Sequence, residues 1–323
     1  MFMGNGLSIT HNIFNIGGIT MENENVYWHL PGFCEHMQLY MRLFRLLDDH
    51  PEYMYPNYKI GSVYGSFPGA IWNGGRCVMG FNSYDDIKQI IYHYNNKGIP
   101  LSFTWTNQLI DTLHTYDTYC NLIMDLGDNG MNSCIVYSNI MEHYIRRVYS
   151  NYKLISSTTK LLKRVKDIKA ELANSQYSLV VLHSDLSHDY NVLEQLKEDA
   201  SRIEIMVNEG CVMGCKCKAD HYYQLSQDQM MFRASDYYED CPRKNFENIK
   251  LNNDIEKVYS GSMFLFNSDV EKLISMGYRN FKIVGREKSS KEILDSIIYF
   301  IIRDEYKELI ESQLAKKEIY YLK

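Results

Sequence analysis

The most distinctive chemistry in this chain belongs to its thiols. Cys211, Cys215 and Cys217 follow Glu209 in one short stretch after the strand-like run Arg202–Val207, and Cys241 comes later, before Pro242 and Arg243. Several thiolates on one loop system can bind zinc tetrahedrally or hold an iron–sulphur cluster. The three residues between Cys211 and Cys215 exceed the two-residue gap common at zinc, and a single residue separates Cys215 from Cys217. That last gap is awkward for two ligands of one ion. Cys211, Cys215 and Cys241 are therefore the expected ligands, with Cys217 as substitute or bystander. Glu209 and His221 flank the thiols as candidate acid/base groups, or as partners that orient the ligands by hydrogen bonds.

Further polar groups recur where strands end. Gly65-Ser66-Phe67-Pro68-Gly69 and Trp72-Asn73-Gly74-Gly75-Arg76 follow the first expected strand, and Arg76 offers a fork for a carboxylate or phosphate. The glycine pattern is neither a P-loop nor a dinucleotide fingerprint. Thr104-Trp105-Thr106-Asn107, Ser156-Ser157-Thr158-Thr159-Lys160 and His183-Ser184-Asp185 stand at later strand ends. Each hydroxyl or carboxylate alone reads as a helix cap. Their repetition predicts a polar pocket, with Asp185 as a catalytic candidate.

These groups need a scaffold that brings strand ends together. From residue 58 onward, strand-like runs at Lys59–Tyr64, Ile99–Thr106, Ser133–Tyr137, Lys153–Ser157, Ser178–His183, Arg202–Val207, Ser262–Phe266 and Asn280–Val284 alternate with helical patterns. Eight strands alternating with helices predict an α/β fold, a (β/α)8 TIM-like barrel, whose site lies at the C-terminal strand ends. Residues 1–57 read as an N-terminal extension packed on the barrel, with a helix over Glu35–Leu47. Residues 58–323 form the barrel, and 208–250 an insertion after the sixth strand that carries the cysteines.

Bulk properties narrow the classes. The formal charge is −6, which excludes a uniformly basic nucleic-acid surface. No basic start leads into an apolar stretch, and the apolar run Ile293–Ile302 is broken by Asp295. No membrane association and a cytoplasmic location are therefore expected. The eight cysteines should be reduced there, which favours metal or catalytic roles over disulfides.

The run Gly277-Tyr-Arg-Asn-Phe-Lys282-Ile-Val284-Gly-Arg286 resembles the G-x-x-x-x-K-I-E-G-R signature of the collagenase-like peptidase family, peptidase family U32. Ile203–Cys211, with its strand running into a cysteine-bearing loop, resembles that family too. The resemblance spans roughly residues 58 to 306 and has the look of a divergent bacterial branch. Val284 stands where the family has Glu, and the cysteine spacing is tighter at its start. The resemblance implies an iron–sulphur barrel with a [4Fe–4S] cluster on Cys211, Cys215 and Cys241, and Lys282 and Arg286 lining the barrel mouth. It further implies oxygen-independent, hydroxylation-type or sulphur-type modification of a small anionic metabolite or an RNA base. A zinc-dependent hydrolase or peptidase is the alternative. A non-catalytic subunit bound to a partner protein, or a homo-oligomer, is the third expectation.

Overall fold

The computed structural model describes residues 24–233, 262–285 and 288–315. Its strands are β1 (Val26–Pro31), β2 (Tyr58–Gly65), β3 (Leu101–Trp105), β4 (Ser133–Val136), β5 (Lys153–Ser156), β6 (Tyr177–Val181), β7 (Ile203–Met206), β8 (Asn208–Val212), β9 (Ser262–Phe264) and β10 (Asn280–Lys282). Eight of them close into a parallel barrel in the order β1-β2-β3-β4-β5-β6-β7-β10, which returns to β1. The expected (β/α)8 architecture is the observed one.

Two memberships differ from the sequence reading. The first stave is Val26–Pro31, inside the leading 57 residues taken as an extension, and it pairs with both β2 and β10. The run starting at Ser262, taken as the seventh stave, is instead β9 and pairs antiparallel with β8, Asn208 opposite Phe264 and Glu209 opposite Met263. The cause lies at Val207. Its N–H donates to the Lys282 carbonyl (3.0 Å) on the barrel wall, while its own carbonyl accepts from Leu265 N–H at 2.7 Å. The chain leaves the wall there, and the free edge of β8 takes β9 as partner. Alternating side chains predict a strand, but not which neighbour it finds.

Helices follow their sequence signals closely. In α1 (Met37–Asp49), Leu39, Tyr40, Leu43, Phe44 and Leu47 form the buried stripe. α2 (Tyr84–Asn95) opens with a capping box between Ser83 and Asp86 and buries Ile87, Ile90, Ile91 and Tyr94, one helical face. Burying each such aliphatic side chain contributes about 1.5–3 kcal/mol. α3 (Thr118–Gly127) and α4 (Asn139–Val148) are capped by Asp117 and Ser138. α5 (Val165–Ala173), α6 (Tyr190–Gln195), α7 (Lys218–Met230), α8 (Asn267–Ser275), α9 (Ser290–Phe300) and α10 (Lys307–Ala315) complete the described helices. None of the described helices is long and apolar enough to cross a membrane.

The main core lies between strands and helices, where Trp28, Leu30, Phe103, Trp105 and Phe281 are buried. The barrel interior is divided. The level nearer the C-terminal strand ends holds a small apolar cluster of Ile135, Ile155, Val181, Met206 and Val284. The level below it carries His29, Ser62, Ser102, Ser133, Glu204 and Lys282, all buried. A barrel interior is ordinarily filled by branched aliphatics, so this polar arc is a departure that calls for a reason.

Candidate functional site

The barrel mouth is roofed by α7. At the start of this helix Lys218 Nζ donates to Ser184 Oγ (2.8 Å), just past β6. Toward its end, Gln229 Oε1 accepts from Val78 N–H at 2.8 Å and its amide nitrogen donates to the Ala70 carbonyl at 3.2 Å, in the loop after β2. Between them, Ser226 Oγ accepts from Gln108 N–H (3.1 Å), and the Ser226 carbonyl accepts from Asn107 Nδ2 at 3.1 Å, past β3. Thirteen helical residues span ~20 Å, enough to cross the mouth from one rim to the other.

Beneath this roof lies a cavity of about 90 Å³. Arg76, Glu209 and Lys282, three residues singled out from sequence, line it together. Thr104, Thr106, Ser157, Thr158 and Thr159 contribute the polar strand ends that the sequence suggested, and Tyr64, Met206 and Val284 close the floor. Tyr222, on the roof helix, also faces the cavity. Its role was not legible, because a tyrosine on a mixed helix gives no sign of which face is covered.

Glycines let the loop after β2 approach so closely. A Cβ on Gly74 would fall 2.5 Å from the Thr106 carbonyl carbon and oxygen, so only glycine permits this contact. Gly75 takes φ +78°, a left-handed conformation that glycine adopts without strain. Arg76 then reaches over Gly65, and its Nη2 lies 3.1 Å from Glu35 Oε1. That carboxylate orients the guanidinium.

Lys282 Nζ sits 3.9 Å above the Tyr64 ring and donates to Glu204 Oε1 at 2.8 Å. Lys282 and Glu204 are both nearly sealed from water. Burial alone would raise the Glu204 pKa, but the Lys282 charge and hydrogen bond, with His29 alongside, outweigh it and lower it. Glu204 is therefore ionised. His29 is held neutral mainly by burial, with Lys282 adding to the downward shift against the pull of Glu204. Glu204 and His29 were not singled out in the sequence. The one available signal was a charged residue inside the apolar run Ile203–Val207.

The thiols stand beside this cavity rather than in its wall. Cys211 N–H donates to Glu209 Oε1 at 3.1 Å, so the first cysteine and the cavity carboxylate share one turn of chain. The bend continues through Gly214, at φ +69°, and Cys217 stands at the position immediately before α7. Cys211, Cys215 and Cys217 are all part-buried. Cys241 and Arg286 lie outside the described residues. Among the described residues no three His, Cys, Asp or Glu side chains gather as ligands of one ion. These thiols suit zinc or iron chemically, but they do not form a complete ligand set on their own.

Asp185 and His221 occupy neighbouring positions. Asp185 pairs with Lys163 at 2.7 Å. Burial would raise its pKa, but Lys163, His183, the Gly214 N–H and Lys218 together lower it. His183 accepts from Asp185 N–H through Nδ1 at 3.1 Å, and its pKa falls to about 4, through burial first and then Lys218. His221, in the first turn of α7, is nearly buried and donates its backbone N–H to the Cys217 carbonyl at 2.9 Å. Neither Asp185 nor His221 lines the cavity. Lys160 likewise turns away, pairing with Glu171 and donating to Tyr177 Oη at 2.9 Å.

No protein-family model matches the chain, and no curated protein matches it. A solved structure described as "The Structure of the U32 Peptidase Mk0906" is similar, with a TM-score of 0.51 and 12% sequence identity. The similarity covers 86% of this chain and 97% of that one. At this identity the likeness is one of fold: the chain adopts a barrel like that of a U32 peptidase, over nearly the whole of that protein.

Proposed function

We propose that this protein is a barrel enzyme that binds a small anionic metabolite beneath α7. The observation that carries the reading is that Arg76, Lys282 and Glu209, from three separate segments, line one roofed cavity. Arg76 can grip a carboxylate or phosphate in a fork, and the Lys282 ammonium, already paired with Glu204, adds a hydrogen-bond donor in a partly dehydrated setting. Glu209 is the acid/base candidate at the same wall. Catalysis here means positioning an anion against a carboxylate while α7 excludes water. An RNA base, the other substrate class implied by the resemblance, would have to be flipped out of its stack and threaded under α7. A chain of formal charge −6 attracts polyanions poorly, which favours the small molecule.

The cofactor is a second element of the proposal. The part-buried thiols on the bend that starts at Glu209 favour an iron–sulphur cluster on Cys211, Cys215 and Cys241, with Cys217 as substitute, or zinc on the same set. When bound, either group would supply Lewis acidity beside the cavity, and a cluster could also transfer electrons. A U32 peptidase-like barrel is compatible with hydrolysis, so the zinc hydrolase is the competing reading.

Anaerobic purification followed by iron, sulphide and zinc analysis separates these. A brown protein that loses iron and sulphide in Cys211→Ala supports the cluster. Stoichiometric zinc without colour turns the reading to hydrolysis. For the anion site, a screen of small carboxylates and phosphates by thermal shift should give stabilisation that Arg76→Met abolishes. If no anion stabilises the protein, or the Arg76→Met variant responds equally, the site reading fails.

A further inference from the structure

The polar arc inside the barrel is a hydrogen-bonded chain from Ser133 to His29, and a close polar contact carries it on to the Glu204–Lys282 pair. Ser133 Oγ donates to Ser102 Oγ at 2.8 Å, and Ser102 Oγ donates to Ser62 Oγ at 3.1 Å. Ser62 Oγ then lies 2.8 Å from His29 Nδ1. His29 Nε2 is 3.3 Å from Asn280 Oδ1 and 3.6 Å from Glu204 Oε2, and Glu204 Oε1 meets Lys282 Nζ at 2.8 Å. The residues come from β4, β3, β2, β1, β10 and β7, six neighbouring strands of the eight, so the chain runs around most of the barrel.

One amide sets its direction. Asn280 Nδ2 donates to the Ser201 carbonyl at 2.9 Å, which leaves Oδ1 facing His29. An amide oxygen only accepts, so His29 must carry its proton on Nε2. Nδ1 is then an acceptor, and Ser62 must donate to it. Ser62 can in turn accept from Ser102, and Ser102 from Ser133. Every hydroxyl donor from Ser133 to Ser62 points the same way, toward His29, whose Nε2–H bonds Asn280 Oδ1 with Glu204 Oε2 3.6 Å away.

The two ends of the chain meet different spaces. Ser133, Ser102, Ser62 and His29 border a cavity of about 510 Å³ at the opposite, N-terminal end of the barrel. Lys282 lines the roofed cavity at the mouth. Space for the imidazole is made by Gly61, where a Cβ would come 2.9 Å from His29 Cε1. A stability role alone leaves this arrangement unexplained, since aliphatic side chains would fill the interior more favourably.

We propose that this chain is a proton path from the N-terminal cavity to Lys282, resupplying the mouth site while α7 and a bound substrate close it to water. When the Lys282 ammonium gives a proton to a substrate, the His29 Nε2 proton turns from Asn280 Oδ1 to the ionised Glu204 carboxylate, and Glu204 then passes a proton to the resulting amine. His29 takes a proton at Nδ1 from Ser62 as it gives up the one at Nε2. Ser62 is refilled by Ser102, Ser102 by Ser133, and Ser133 by a cavity water, which draws its own proton from bulk solvent. One proton enters, one leaves, and no electrons move. Rotation of the hydroxyls and return of His29 to the Nε2–H form reset the path. The proposal deepens the mouth-site reading and rests on it for the identity of the proton acceptor.

The test needs no substrate, so its failure is distinct from failure of the anion site. In 15N-histidine-labelled protein, His29 should be in the Nε2–H form, and its ring proton should exchange with solvent rapidly. Ser62→Ala and Ser102→Ala should each slow that exchange by about tenfold or more, while Ser62→Thr, which keeps the hydroxyl, should restore it. The Lys282 ammonium signal in 15N-lysine-labelled protein should slow in parallel. A His29 protonated on Nδ1, or unchanged exchange in both alanine variants, overturns the path. A response confined to histidine overturns delivery to Lys282.

Discussion

Gln229, near the end of the roof helix, accepts the Val78 backbone N–H at 2.8 Å across 151 residues of sequence. The same side chain donates to the Ala70 and Val78 carbonyls at 3.2 and 3.3 Å, and it is fully buried. It therefore clamps the loop that carries Arg76 to the helix that covers the cavity. Gln229→Ala should leave the buried Val78 N–H without its acceptor and cost about 1–3 kcal/mol. Hydrogen exchange of residues 66–83 should accelerate well beyond that of the barrel strands. Unchanged protection there would mean that the loop is held by other contacts.

Glu204 and Lys282 form the buried ion pair of the barrel interior. Removing one partner leaves the other charge uncompensated, so Glu204→Gln and Lys282→Met should each destabilise by roughly 3–5 kcal/mol. The double variant should cost clearly less than the sum, as read by urea unfolding in a double-mutant cycle. Additive losses would deny the coupling. The Glu204 pKa is lowered in the fold, so its contribution is complete above the unfolded carboxylate value of about 4.3. It fades as pH falls below that value and through the lower folded one.

His183 gives a separate pH window. Its pKa drops from an ordinary value near 6.5 to about 4, so the folded state prefers the neutral ring. A depressed basic group favours folding above its unfolded pKa and loses that contribution as pH falls toward the folded one. Stability should therefore decline between about pH 6.5 and about pH 4. His183→Asn, whose side-chain oxygen can still accept the Asp185 N–H, should flatten that decline. Parallel melting curves for the two proteins across this range would refute the assignment.

Gly74 and Gly75 are adjacent but serve different needs. Gly74→Ala forces a Cβ against the backbone of Thr106 and Asn107, at 2.5 and 2.6 Å, and the loop must move. A cost of about 1–3 kcal/mol is expected, together with loss of anion-dependent stabilisation as Arg76 shifts. Gly75→Ala meets nothing closer than 3.8 Å, and only its φ of +78° is unfavourable, at about 1–2 kcal/mol. Thermal melts with and without anion should separate the two: Gly75→Ala keeps the anion response and Gly74→Ala loses it.

Local signals in the sequence sufficed for much of this protein. Spacing of Ile87, Ile90, Ile91 and Tyr94, with Ser83 and Asp86 before them, specifies α2, because a helix needs only a 3.6-residue period and a cap. Regular alternation of such segments with short apolar runs specified the barrel, and strand ends rich in Thr, Ser and Gly marked its mouth. Strand partnership is a long-range choice, and the sequence could not make it. β1 escaped notice because Trp28, His29 and Pro31 do not read as a simple apolar stave, and β9 alternates like one without being in the barrel. The tertiary structure alone brought Arg76, Glu209 and Lys282 to one cavity and set α7 across it. It alone put His29 between Ser62 and Glu204, because direction inside a closed barrel depends on which strands end up side by side.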